Sequence, residues 1–331
     1  MTQPDQLLAS AEIRSQPDCW AQAAALAPGA EGLPRPGETV AAIGCGTSWF
    51  MAMAYAVQRE RAGHGLTDAF TASELPAGRD YDRVVAISRS GTTTEAAQAL
   101  AGLGPRTASV AIVAVADTPV AQLADHAIVL GFADERSVVQ TRFATSTLAL
   151  LRASLGEDLG RAIADCRAAL GEDLDPGWIA ADQATFLGTG WTIGLAQEAA
   201  LKLREASLGF TEAHPAMDYR HGPIALAQPG RLVWVFGAPP AGLACQVEAT
   251  GATWIDSPLD PMADLVRAQR LAVARGLARG LDPDHPRNLT RSVILDQPRS
   301  GVERPAPATV DQSRVGAGVP ASPPSAARRQ R

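Results

Sequence analysis

Residues 88–95 read SRSGTTTE, with five hydroxyl side chains and a glycine in seven positions, directly behind the apolar run RVVAI. Two kinds of chemistry fit. Thr92 and Glu95 have the spacing of a helix capping box, and the EAAQALAGL that follows is good helix-forming sequence. A helix start needs one capping hydroxyl, and the surplus points to an anion site in which hydroxyls and helix N-terminal N–H groups hold a phosphate. A second cluster, Glu198, Lys202 and Glu205 in EAALKLRE, falls at about 0°, 40° and −20° around a helix turning about 100° per residue. Such a stripe is either an exposed face with an i,i+4 ion pair, or two carboxylates and an amine projecting into a cleft, where proximity tunes a general base. Lys202 is the only lysine among 29 basic residues, so its retention carries information that an arginine here does not. EAHPAMDYRHGP reads as a loop whose His214 and His221 are either surface groups or proton carriers near neutral pH. Gly44 and Gly46 in IGCGTS follow an apolar run as a dinucleotide fingerprint would, but Trp49 stands where the third glycine is required, which argues against NAD or FAD. Thr47 and Ser48 fit either a ligand-facing turn or the N-cap of the next helix.

These residues need a scaffold, and the chain can supply one. Its 331 residues are 46% apolar, enough for one large or two moderate α/β units. A net charge of −6 is not that of a general nucleic-acid binder, so an anionic ligand would depend on local donors. Cys19, Cys45, Cys166 and Cys245 are far apart and form no C-x-x-C pair, which argues against disulfides or zinc and fits a reducing cytoplasm. No apolar stretch is long enough for a membrane span, and the first residues lack the pattern of a signal peptide, so a soluble intracellular protein is expected. Helical spacing over the first 26 residues predicts a lead-in helix or helix pair. From Thr39 short apolar runs alternate with helical stretches, which predicts parallel sheets covered by helices on both faces. The run AAIGCGTSWFMAMAYA resembles TFLGTGWTIGLAQEAA 144 positions later, and DRVVAIS resembles GRLVWVF 148 positions later, which predicts a duplicated α/β unit. The second copy carries GAPPAG in place of the hydroxyl loop, so one copy would bind and the other support. The predicted organisation is a helical lead-in over 1–36, a first unit over 37–180, a second over 181–296 and a disordered Pro/Gly/Ser/Arg-rich tail over 297–331.

Together, IGCGTS, ISRSGTT, ALKLREAS, RHGPIAL and GLDPDHPRNLTRSV resemble the paired sugar isomerase (SIS) domains of glutamine:fructose-6-phosphate amidotransferase and its stand-alone relatives, the tagatose-6-phosphate aldose/ketose isomerases and fructosamine deglycases. The resemblance runs in order from about Thr39 to Leu295. It implies two flavodoxin-like SIS subdomains in three αβα layers, with a phosphosugar at the first and neither metal nor nucleotide cofactor. It implies that Ser88, Ser90 and Thr93, with Arg89 in the same loop, grip the phosphate beside Thr47 and Ser48. Glu205 matches the carboxylate that moves a proton between C1 and C2 through an enediol, and Glu198 and Lys202 match the polar positions beside it. His221 matches a histidine linked to ring opening that reaches a neighbouring subunit's site, which implies a homodimer. Gln140, in SVVQTR, is closer to the stand-alone isomerases and implies a different sugar from the amidotransferase's. Arg291 replaces the amidotransferase's lysine and cannot form a Schiff base, which leaves Lys202 as the only side-chain amine. The amidotransferase's glutaminase domain has no counterpart in this sequence, so glutamine hydrolysis is not expected. The expected function is aldose/ketose isomerisation, with or without amine release, of a phosphorylated sugar or amino sugar. The alternatives are a non-catalytic phosphosugar sensor and an ammonia-dependent synthase of glucosamine 6-phosphate.

Overall fold

The computed structural model describes residues 7–295, so the expected tail and the first six residues of the lead-in lie outside it. The lead-in is a helix pair, α1 (Leu8–Arg14) and α2 (Gln16–Leu26). The first sheet follows through β1 (Val40–Gly44), α3 (Thr47–Arg61), β2 (Thr67–Thr71), β3 (Arg83–Ser88), α4 (Thr94–Ala101), β4 (Ala108–Val113), α5 (Pro119–Leu123) and β5 (His126–Val129). Its strands are parallel in the order β2-β1-β3-β4-β5, the flavodoxin-like arrangement. The central strands β1 and β3 are buried along their whole length, which is why both read as continuous apolar runs. In this topology the crossing direction reverses between β1 and β3, and the cleft at their C-terminal ends is where such sheets hold ligands.

Three helices, α6 (Arg142–Ser154), α7 (Gly160–Gly171) and α8 (Pro176–Ala180), lead to a second parallel sheet. It is built from β6 (Gln183–Gly188), α9 (Thr192–Ser207), β7 (Phe210–Pro215), β8 (Arg231–Phe236), α10 (Leu243–Glu248), β9 (Thr253–Ile255) and α11 (Pro261–Ala278), in the order β7-β6-β8-β9. The β7 strand occupies part of the segment expected to be a loop. It is an edge strand with one buried residue in six, so it lacks the apolar run that marks the inner strands.

The duplication is visible in the backbone. Gly44 and Gly188 each end the first strand of a sheet, and a Cβ on either would lie 2.6 Å from Ser48 C or 2.4 Å from Thr192 O in the next helix's first turn. Gly46 and Gly190 both take positive φ, +54° and +60°. One apolar core runs through both halves, from Trp20, Met51 and Phe143 to Phe186, Leu203 and Trp234. The boundary expected at 180/181 separates two sheets, and this core continues across it. Helix α9 lies between α3 and α11 at close range. A methyl on Gly194 would sit 2.3 Å from Phe50 O, and one on Gly276 would sit 2.4 Å from Ala206 O.

Candidate functional site

Five segments meet at the C-terminal ends of β1 and β3 around a cavity of about 200 Å³. The turn after β1 contributes Thr47 and Ser48, and the loop after β3 contributes Ser88, Arg89, Ser90 and Thr93. Gln140 comes from the segment before α6, Glu205 from the last turns of α9, and residues 289–293 cross the opening as a strap. Eight of the eleven residues to which the resemblance gives a site role therefore line one space. A larger cavity of about 460 Å³, on the outer side of α4 between Tyr81 and Leu103, contains none of them.

The loop's shape depends on Gly91. Its φ is +65°, and a Cβ there would fall 1.9 Å from Thr118 Oγ1, so other residues meet both backbone strain and a clash. The loop is pinned to the next strand and helix, since Ala114 N donates to Arg89 O at 3.1 Å and Val120 N to Gly91 O at 2.9 Å. The capping box does not form. The N-cap of α4 is Thr93, without a side-chain cap bond, and Thr92 Oγ1 instead lies within hydrogen-bond distance of Ser90 Oγ at 3.1 Å and of Ser292 Oγ at 2.9 Å. Nor does Thr47 or Ser48 cap α3, because Gly46 holds that place in a positive-φ conformation. Thr47, Ser48, Ser88, Ser90 and Thr93 all line the cavity.

Arg89 departs from its expected role. Its guanidinium donates at 3.1 Å to each of three carbonyls, those of Ser137, Val138 and Arg291, and lies 3.6 Å from the buried Glu135 carboxylate. The terminal nitrogens of Arg89 are held by these carbonyls, while Arg89 still lines the cavity. Burial raises the Glu135 carboxyl above the usual range against the pull of Arg89, and that carboxyl also accepts from Thr141 Oγ1 at 2.8 Å and Arg142 N at 2.8 Å.

The α9 stripe is not an exposed face. Glu198 is 0% and Lys202 1% exposed, because α3 and α11 cover the helix, whereas Glu205 is 18% exposed and reaches the cavity. Lys202 Nζ donates to Glu205 Oε2 and stands 3.5 Å from Glu198 Oε1. Burial pushes the Glu198 carboxyl up to about 8 despite the ammonium's attraction, and the Glu205 charge adds to the rise. Burial alone would depress Lys202, but the Glu198 and Glu205 carboxylates more than reverse this and hold it above its ordinary value.

His221 is outside this cluster. It lies exposed on a 3₁₀ turn (Asp218–His221) beyond the edge strand β7, away from the cavity lining. His214 is half-buried in β7, 3.7 Å from Glu212. The sequence reading also missed Ser292, Glu135 and Glu12, the last being a buried α1 carboxylate that accepts from Arg136 N at 2.6 Å. NLTRSV draws notice through Arg291, whose side chain pairs with Asp134, while its neighbour Ser292 carries the contact to the hydroxyl loop. Glu135 and Glu12 are single acids with no motif around them, and only folding brings them against the segment that carries Gln140.

Residues 36–155 match the family model described as the SIS domain, and the hydroxyl loop, Gly44-x-Gly46 and the first sheet all fall within that span. This segment is an SIS domain. Curated relatives include glutamine–fructose-6-phosphate aminotransferase of Methanothermobacter thermautotrophicus, 28% identical over 78% of this chain and 52% of that protein. The enzyme of the same name from Aeropyrum pernix is 35% identical over 34% of this chain and 23% of that protein. The chain thus spans at most about half the length of these relatives. Glucosamine-6-phosphate deaminase from Thermotoga maritima is a structural neighbour of the SIS domain and the sheet that follows it. It has 26% identity and a TM-score of 0.72, covering 87% of this chain and 100% of that one. Tagatose-6-phosphate ketose/aldose isomerase from Escherichia coli, at 19% identity and a TM-score of 0.72 over 88% and 98% of the chains, shares the fold. Among the described residues no helix is long and apolar enough to cross a membrane.

Proposed function

We propose that this chain is an enzyme that binds a phosphorylated sugar or amino sugar in the cavity between β1 and β3 and shifts a proton between its first two carbons. One observation carries the reading: Glu205 is the one carboxylate among the described residues lining a cavity that also presents the hydroxyls of Thr47, Ser48, Ser88, Ser90 and Thr93 at the starts of two helices, with Arg89 and Arg291 in the same lining. Hydroxyls and N–H groups suit a phosphate ester without needing a basic surface, in keeping with the net charge of −6. With the phosphate on Ser88, Ser90 and Thr93, the open-chain sugar extends past Thr47 and Ser48 toward Glu205. Glu205 takes the proton from C2, gives an enediol, and returns the proton to C1. Lys202 donates to one Glu205 oxygen and fixes its orientation, and Glu198 closes the buried side of the pair. An amino sugar phosphate entering this sequence loses ammonia when the resulting imine is hydrolysed, which links isomerisation to deamination.

The same reading gives two SIS subdomains, 37–180 and 181–296, and a homodimer in which His221 assists ring opening in a second copy's site. The exposed Phe210 and Met217, at 70% and 61%, lie near the His221 turn in sequence and supply an apolar surface for such a contact. The four free thiols suit a reducing compartment such as the cytoplasm. The test is to follow fructose, glucose, glucosamine and tagatose 6-phosphates with the full chain by NMR, alongside Glu205→Gln. The variant is expected to keep sugar phosphate binding and lose turnover by at least about a hundredfold. Unchanged turnover in Glu205→Gln rejects the assignment.

A further inference from the structure

The loop's hydroxyls are already engaged, and their partner comes from about two hundred positions later in the chain. Ser90 Oγ donates to Ser292 Oγ at 3.0 Å, Thr92 Oγ1 donates to the same oxygen at 2.9 Å, and Thr94 N, in the first turn of α4, donates to Val293 O at 3.2 Å. Ser292 is therefore seated at the helix start that an anion would occupy, and it lines the cavity together with Ser90. Each hydroxyl has one donor hydrogen and two acceptor sites. With no ligand, three hydroxyls satisfy one another. When a phosphate enters, rotation about the C–O bonds turns their hydrogens toward it, and the oxygens need not move.

The strap carrying Ser292 is held by contacts that the binding role of the loop does not explain. The Asp284 carboxylate accepts from Leu8 N and Ala9 N at 2.8 Å each, capping the start of α1, while its carbonyl accepts from Val138 N at 3.2 Å. Farther along, Arg89 joins Arg291 O to the carbonyls of Ser137 and Val138, and the Arg291 side chain pairs with Asp134. Thr290 Oγ1 donates to Ser292 O at 2.8 Å and fixes the turn that presents Ser292.

We propose that Ser292 is a phosphate-binding residue delivered by the C-terminal strap, and that Arg89 is the positioning residue that holds it there. The inference rests on the sugar phosphate reading above and adds to it a specificity element for the phosphoryl group. It also gives a role to a buried cation of the hydroxyl loop whose guanidinium is held by carbonyls of the protein. A guanidinium can span three carbonyls, and the positive charge is balanced within the protein by Glu135.

The experiment is calorimetric titration of the full chain with fructose 6-phosphate and glucosamine 6-phosphate, and with unphosphorylated glucosamine as control. Ser292→Ala is expected to weaken both phosphate esters by roughly tenfold to a hundredfold, the range for losing one hydrogen bond to a charged group. Ser292→Thr, which keeps the hydroxyl, is expected to recover most of the loss, and binding of unphosphorylated glucosamine should not change. With turnover, Ser292→Ala raises KM and leaves kcat in place. Arg89→Lys is expected to weaken the same ligands, and adding Ser292→Ala to it should cost less than half of what it costs alone, because the strap is already displaced. Equal affinities of wild type and Ser292→Ala overturn the role of Ser292. Full additivity of the two changes overturns the positioning role of Arg89, since independent stabilisation or direct phosphate contact by Arg89 would add. A wild-type chain that binds neither ester overturns the sugar phosphate reading itself.

Discussion

Replacing Glu198 by Gln tests whether the buried α9 cluster carries one negative charge or two. Glu198 is fully enclosed, with the Lys202 ammonium 3.5 Å from one oxygen and Thr47 beside it, and burial outweighs both to lift its carboxyl from about 4.5 to about 8. Below pH 4.5 the acid is protonated in folded and unfolded chains alike and contributes no pH dependence. Between 4.5 and 8 the unfolded chain ionises while the folded one keeps its proton. Stability is then lost as pH rises, by about 1.4 kcal/mol per unit, toward a ceiling on the order of 5 kcal/mol. Lys202 remains charged in both states across this window and does not add to the slope, and other raised acids such as Asp264 cancel when wild type and variant are compared. Gln mimics the neutral acid in shape and cannot ionise. Glu198→Gln should therefore lie within about 1 kcal/mol of the wild type in urea unfolding at pH 5 and be more stable by several kcal/mol at pH 8. Two results refute the reasoning. One is a difference between the proteins that stays constant with pH. The other is a loss of about 3–5 kcal/mol in the variant at pH 7, the cost of deleting one member of an ionised buried pair.

Two further substitutions test the scaffold. Gly91→Ala forces a Cβ to within 1.9 Å of Thr118 Oγ1 at a φ of +65°, and should abolish sugar phosphate binding by calorimetry while circular dichroism shows the fold retained. Gly194→Ala places a methyl 2.3 Å from Phe50 O where α3 crosses α9, and should lower stability by about 1–3 kcal/mol in urea unfolding, as overpacking does.

What could be read from the sequence follows physical range. Local signals transferred well: the apolar runs of β1, β3, β4, β6 and β8 are strands, and the hydroxyl loop, the CGTS turn, Gln140 and Glu205 all line one cavity. Misreadings arose where a distant partner competed with a local rule. Thr92 has a capping-box spacing, but Ser292 offers its hydroxyl a partner, and the local bond is not made. Glu198 and Lys202 have the spacing of a solvated ion pair, and nothing in their own helix reveals that α3 and α11 will enclose it. Arg89 sits among phosphate-type hydroxyls, yet its direction is set by carbonyls at 137, 138 and 291.

The two halves of the duplication differ in what they leave free at the ends of their strands, which bears on the proposed binding at the first copy alone. Both copies begin with a strand ending in glycine, a positive-φ glycine two positions later, and a helix packed hard against that strand end. In the first copy, Thr47 and Ser48 in that turn line the cavity, and the next strand opens into the hydroxyl loop. In the second copy, Thr192 has the equivalent hydroxyl, but it donates to Phe236 O at 2.9 Å and accepts from Thr189 N at 2.8 Å, so the turn is tied to the end of β8. The β8 strand then runs into GAPPAG, whose two prolines have no N–H to offer an anion, and the short α10 follows. Freed of a binding role, the second copy's first helix is covered on more than one side, and α9 can extend its buried acid and lysine to the Glu205 turn at the first copy's cavity. The proposed chemistry would depend on both copies, because the hydroxyls belong to one sheet's loop and the carboxylate to the other sheet's helix.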